Sequence, residues 1–202
     1  MGDVALVAPV IKSMTSQHQH IEIVILTRTP FESFFYSFSG VKVFSTDFRK
    51  KYSGMVGILK VYFDLKKEYK FDHVVDLHDV IRSKILRWLF RLSGIPVTVI
   101  DKGRSDKRKV LNGLNKVKLI HSTERYYNAF AAAGFTLEKS ESPWIVPTSE
   151  GRKRADNLLR EKDLVHIGVA PLAKHELKMW PEEYIITLME MIAKRINGRF
   201  WL

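Results

Sequence analysis

Two lysines and a histidine, Lys174, His175 and Lys178, sit between an apolar run and a helix start in the stretch 166–181, HIGVAPLAKHELKMWP. A strand feeding a cationic loop and then a helix N-terminus suits a phosphate group, because unpaired backbone N–H groups and the helix dipole both favour an anion there. Pro181, followed by Glu182 and Glu183, marks that start, since the missing proline N–H is harmless in a first turn. The alternative for the same residues is a solvated charged loop, with Trp180 as a packing anchor. Neither G-x-G-x-x-G nor G-x-x-x-x-G-K-[ST] occurs, which disfavours a dinucleotide-binding or P-loop enzyme.

Other residues able to do chemistry cluster where strands give way to helices. Asp3 follows Gly2 and precedes a helix; its carboxylate suits an N-cap, a general base at the carboxyl edge of a sheet, or both. Asp76, His78, Asp79 and Arg82 lie at the end of the strand FDHVVDLH and the opening of the next helix. With Asp72 these carboxylates could suggest a metal or glycosidase site, but Asp72 precedes that strand and only Asp76 and Asp79 share its end, so a metal is not expected. Arg82 on the first helical turn is placed for an anionic substrate. The densest basic segment, 101–109, DKGRSDKRK, reads as a loop of solvated charge or as a docking site for an anionic acceptor through Arg104, Lys107 and Arg108. His121, Glu124 and Arg125 in IHSTERYY read as a structural, capped helix start with Ser122 or Thr123 as cap. His18 and His20 lack a third ligand and read as surface residues.

The elements that must position these residues alternate between strand and helix patterns, which argues for α/β layering around a mostly parallel sheet. Strands are predicted over 21–27, 41–44, 73–77, 97–100, 118–120 and 165–170. Helices are predicted over 4–16, 31–38, 55–69, 80–93, 123–133, 151–161 and 181–195. In 55–69 the apolar residues Met55, Ile58, Leu59, Tyr62, Phe63 and Leu65 recur at helical spacing opposite Lys60, Lys66 and Lys67. This stripe reads as core packing rather than as a platform for stacked bases. Helix 80–93 is expected to bury Ile81, Ile85, Leu86, Leu89 and Leu92 before Gly94 and Pro96 stop it. The segment 140–149, with Pro143 and Pro147 and no helical period, reads as a linker.

The chain has 202 residues, 46% hydrophobic and 27% charged, which is globular composition with room for one full domain and part of another. It contains no cysteine, so disulfides, thiolate zinc sites and cysteine nucleophiles are excluded. The net charge of +11 favours polyanionic partners: nucleic acid, anionic lipid head groups or phosphorylated sugars. No recognition-helix, zinc-finger or RNA-recognition signature accompanies it, so nucleic acid is not expected as a partner. No run approaches the roughly 20 apolar residues of a membrane span, and the opening residues have neither the basic n-region nor the apolar length expected of a secretory signal.

Taken in order, Gly2-Asp3-Val4 with Pro9, IEIVILTR, the D-x-x-x-x-x-R-S of 76–83, the H-x-x-E-R-Y of 121–126 and APLAKHELKMWP resemble glycosyltransferase family 9, the ADP-heptose:lipopolysaccharide heptosyltransferases. The A-K-H-x-x-K-x-x-P form of the loop resembles a Bacteroidetes-type member. The resemblance implies a GT-B architecture: a Rossmann-like acceptor-side domain over 1–145 and the start of a second, nucleotide-sugar-binding Rossmann-like domain over 146–202. It implies Asp3 as the base on the acceptor hydroxyl and Lys178 as neutraliser of the diphosphate, with Lys174 and His175 on the donor phosphates. Transfer from an ADP-sugar would invert configuration and need neither metal nor other cofactor, because lysine and backbone donors stabilise the charge. The implied acceptor is the anionic lipid A and inner core, met by a monomer in peripheral contact with the cytoplasmic face of the inner membrane. Ala173 and Lys174 replace the small hydroxyl residues common in the family's loop. The family's first strand and its D-[TS]-G-x-x-H segment are absent, so these residues alone are expected to bind nucleotide weakly and to turn over poorly.

Overall fold

The computed structural model describes residues 2–48, 50–113, 118–161, 163–173 and 175–202. It divides into two compact units, Met1–Val146 and Pro147–Leu202.

In the first unit, helices α1 (Gly2–Ala5) and α2 (Ala8–Gln17) stand where one helix over 4–16 is expected. Pro9 explains the break: in a continuous helix its ring would meet the carbonyl of Ala5, and it has no N–H to donate to it. Strand β1 (Ile23–Arg28) pairs in parallel with β2 (Val41–Thr46), Ile23 opposite Val41. The connection is a 3-10 segment, Thr29–Phe35, rather than an α-helix over 31–38; it opens with Pro30 and seats Phe35 in the core. After α3 (Gly54–Glu68), β3 (Val74–Asp76) pairs in parallel with β4 (Val97–Val99) across α4 (Ile81–Leu92). Helices α5 (Arg104–Leu111) and α6 (Ser122–Ala132) complete the unit.

Alternation along the strands builds two cores. Ile23, Ile25, Val41, Val43 and Val75 pack with Val10, Ile11 and Met14 of α2 and Tyr126, Tyr127 and Phe130 of α6. Val24, Leu26, Phe44, Val74 and Val97 turn to the other side, against Ile58, Val61, Tyr62 and Leu65 of α3 and Leu86 and Phe90 of α4. Successive strand side chains point to opposite faces, so these strands are covered by helices on both sides. The Ser13 hydroxyl shares a 2.8 Å hydrogen bond with Tyr127 Oη and accepts the Ser140 N–H, tying α2, α6 and the segment beyond α6 together.

Three expectations are corrected here. Residues 118–120 form no strand; the Ile120 carbonyl that a ladder would use accepts instead from Arg125 Nε at 3.2 Å. The basic segment 101–109 is largely helical. Asp101 Oδ1 accepts the Gly103 N–H at 2.7 Å, Gly103 takes φ +58, and the lysines and arginines that follow are good helix formers. The apolar stripe of α3 is only half core, because Ile58, Tyr62 and Leu65 are buried while Met55, Leu59 and Phe63 are exposed; on α4, Ile81 and Leu92 are likewise exposed. A helix cylinder can offer only one arc to the sheet.

Gly57 lets α3 approach its own entry loop. A Cβ there would fall well inside contact distance of the Tyr52 backbone carbonyl, which cannot rotate away as a side-chain tip could. Gly57→Ala is therefore expected to cost about 2 kcal/mol of unfolding free energy through overpacking, measurable by urea denaturation. An unchanged midpoint would show that the loop yields freely.

The second unit comprises α7 (Ser149–Leu158), β5 (Val165–Gly168), a 3-10 turn Glu176–Lys178, α8 (Glu182–Ala193) and β6 (Gly198–Trp201). The Thr148 side chain caps α7 by accepting the Gly151 N–H at 3.1 Å, which starts that helix earlier than the expected 151–161. β5 and β6 are parallel, Val165 opposite Gly198, as the ends of a right-handed β-α-β crossover would be.

Candidate functional site

The first unit gathers charge around the β3–α4 turn. Asp76, at the carboxyl end of β3, accepts the N–H groups of His78 (2.8 Å) and Asp79 (3.0 Å) on Oδ1 and meets Arg87 Nη1 at 3.2 Å on Oδ2. Asp79 holds φ +42, a left-handed conformation that aspartate tolerates better than most residues. Its carboxylate is bracketed by Arg87 at 3.1 Å and Arg104 at 2.8 Å. Burial works to raise the Asp79 carboxyl, but Arg104 and Arg87 outweigh it and hold the group below its ordinary value. These carboxylates are therefore spent on fixing the turn.

The turn aims His78 and Arg82. Burial lowers the His78 pKa, and Lys102 and Arg82 lower it further against the opposing pull of Asp76 and Asp3, so the imidazole is neutral at pH 7. Arg82, exposed on the first turn of α4, lies with its guanidinium 4.9 Å from the centre of the Phe48 ring. Asp3 is exposed inside the first turn of α1 rather than at a cap position, which corrects the N-cap expectation. Tyr126 of α6 donates its hydroxyl to the Asp3 carbonyl at 3.1 Å, and its own pKa is raised by burial and then by the Asp3 charge. Asp3, His78, Arg82, Lys102 and Tyr126 thus share one electrostatic environment. Lys102 and Tyr126 lie in segments that the sequence singles out, the basic run 101–109 and H-x-x-E-R-Y, but the sequence assigns neither a role in the site, because neither segment's spacing shows that it faces the β3–α4 turn.

The basic residues of α5 divide. Arg104 is committed to Asp79, donating also to its backbone carbonyl at 3.1 Å, whereas Lys107 and Arg108 are exposed on the helix surface. Arg125, a structural residue as expected, is buried and donates to the Asp101 carbonyl at 3.1 Å. The cap of α6 is His121, whose Nδ1 accepts the Thr123 N–H at 3.3 Å, in place of Ser122 or Thr123.

In the second unit, the segment after β5 leads into the 3-10 turn Glu176–Lys178, where the Lys178 N–H donates to the His175 carbonyl at 2.9 Å. His175 caps that turn and both side chains are exposed. Lys174 lies outside the described residues. The following helix is a poorer anion site than its position suggests. Its first turn carries Glu182 and Glu183, which line a shallow depression of about 410 Å³ with Pro181 and Ile186, and these carboxylates already occupy the dipole's favoured charge. Trp180, expected as an anchor, is largely exposed and rests on Tyr184 with ring centres 5.8 Å apart.

No family model and no curated protein matches the sequence. Solved structures do. A glycosyl transferase family 9 protein from Veillonella parvula matches 99% of this chain and 59% of its own, with a TM-score of 0.77 at 19% identity. The E. coli heptosyltransferase WaaC with ADP matches 99% of this chain and 63% of its own, with a TM-score of 0.66 at 18% identity. WaaC with ADP-2-deoxy-2-fluoro heptose gives 0.65 at 18% identity and covers 64% of that protein. The chain therefore spans less than two thirds of the length of the proteins it matches. Helix-covered strands in parallel pairs, a charged strand-to-helix turn and likeness over nearly every residue converge, and the chain has the α/β fold, of the GT-B type, of the glycosyltransferase family 9 structures.

Proposed function

We propose that the protein is an inverting glycosyltransferase that moves heptose, or a similar sugar, from an ADP-sugar to the inner core of lipopolysaccharide. The observation that carries the reading is the fold likeness over 99% of the chain to a heptosyltransferase solved with ADP. The Asp3 carboxylate takes the proton of the acceptor hydroxyl as its oxygen attacks the anomeric carbon. The bond from that carbon to the diphosphate breaks on the opposite face, and the ADP leaving group carries away the electron pair. Lys178 neutralises the charge that develops there, with His175 and Lys174 on the same phosphates, so the step needs no metal. Arg82, Lys107 and Arg108 supply cations for an acidic acceptor. Arg104 supports them indirectly by locking Asp79.

Such an acceptor is a lipid, which places a monomeric enzyme in peripheral contact with the cytoplasmic face of the inner membrane. No helix among the described residues is long and apolar enough to cross a membrane. The test of donor recognition is calorimetric titration with ADP and an ADP-sugar. ADP is expected to bind better than UDP or GDP, and Lys178→Ala is expected to weaken it about tenfold, the scale of one charge-assisted contact. ADP bound no better than inorganic phosphate would remove the nucleotide-sugar reading.

A further inference from the structure

Helix α3 carries a second apolar stripe on its outer side. Met55, Leu59 and Phe63 succeed one another at i, i+4 and i+8, with Val56 beside them; Val56 is 78% and Phe63 64% exposed. A helix that already buries Ile58, Val61, Tyr62 and Leu65 gains nothing for its own fold from that stripe. Its neighbour α4 repeats the pattern with Ile81, Trp88 and Leu92, Trp88 being 60% exposed. The two helices meet through Tyr62 and Phe90, whose rings stand edge to face at 5.2 Å. Contiguous exposed apolar side chains rimmed by polar ones mark interaction sites.

The rim is basic. Lys60, Lys66 and Lys67 are exposed on α3, as are Lys84 and Arg91 on α4. The acidic residues of α3 are engaged: Asp64 accepts from Tyr52 Oη and pairs with Lys51, and Glu68 accepts from Tyr69 Oη. We propose that the α3–α4 face docks on an anionic lipid bilayer. Phe63, Trp88 and their aliphatic neighbours enter the boundary between head groups and acyl chains while the lysines meet head-group phosphates, as interfacial amphipathic helices do. Charge decides against a second copy of this chain as occupant, because a symmetric dimer would set this lysine rim against its own image. The inference deepens the membrane contact proposed above by naming its surface, and needs no part of the transfer chemistry.

The test is sedimentation of the full chain with phosphatidylglycerol or phosphatidylcholine vesicles, together with quenching of tryptophan fluorescence by brominated phosphatidylglycerol. Partition is expected to favour the anionic vesicles at least about tenfold, and quenching is expected to fall in Trp88→Phe. Phe63→Ser should reduce partition about tenfold. Lys60→Glu with Lys67→Glu should reduce it by at least about as much, and Tyr36→Ser, exposed elsewhere, should leave it unchanged. Quenching of the unaltered chain reads insertion without relying on any variant's stability. Equal partition to both vesicles, or quenching that does not depend on Trp88, would overturn the proposal. Self-association that Phe63→Ser abolishes, without vesicle binding, would assign the face to a second copy. ADP affinity should be the same in Phe63→Ser as in the unaltered chain; absent ADP binding with intact vesicle binding would remove the transferase reading and leave this one.

Discussion

Replacing Asp76 by alanine is expected to lower unfolding free energy by about 3 kcal/mol, the cost of removing one partner from a buried, hydrogen-bonded ion pair. The Asp76 side chain is 6% exposed and that of Arg87 15%, so water can replace little of what is lost. The His78 and Asp79 N–H groups would lose their acceptor, and Arg87 would keep, among the described residues, its pairing with Asp79. Asp76→Asn should cost roughly half as much, since its carbonyl oxygen still accepts an N–H. Urea denaturation of the two variants measures both values. A loss below about 1 kcal/mol in Asp76→Ala would mean that the bracket of Arg87 and Arg104 on Asp79 holds the turn alone. The same substitution should loosen His78 and Arg82, which the turn aims.

That turn shows what the sequence could and could not reveal. FDHVVDLH followed by a 3.6-residue period announces a strand running into a helix, and the residues at its end were visible as candidates. Their pairing was not, because spacing places Asp79 and Arg104 twenty-five residues apart and says nothing of their 2.8 Å contact. Arg104 consequently looked like a free cation for a substrate. The basic run 101–109 looked like a loop because its charge has no hydrophobic period, yet a solvated helix requires none once Gly103 and Asp101 have set its entry. In α3, Met55, Leu59 and Phe63 satisfy the same helical spacing as Ile58, Tyr62 and Leu65, and periodicity alone cannot tell which arc faces a sheet. Pro9 was legible as a residue but not as the break between α1 and α2, since proline is also welcome in a first turn. The α/β class was legible because alternation of strand and helix leaves few layer arrangements that bury every apolar face.

The largest functional effect is expected from Asp3→Asn. The carboxylate stands exposed on α1 while the backbone beneath it is held, with the Asp3 carbonyl accepting from Tyr126 Oη and the Leu6 N–H donating to the Gly2 carbonyl at 3.0 Å. Asparagine keeps that shape and cannot take a proton, so the substitution removes the proposed base without moving its neighbours. Transfer measured in single turnover at high protein concentration should fall by about 10²- to 10⁴-fold, the contribution of a positioned general base. ADP affinity should not change, which is the reverse of the pattern expected for Lys178→Ala. The two substitutions thereby separate proton removal from leaving-group stabilisation. Retention of more than about a tenth of the rate in Asp3→Asn would take the base role away from Asp3.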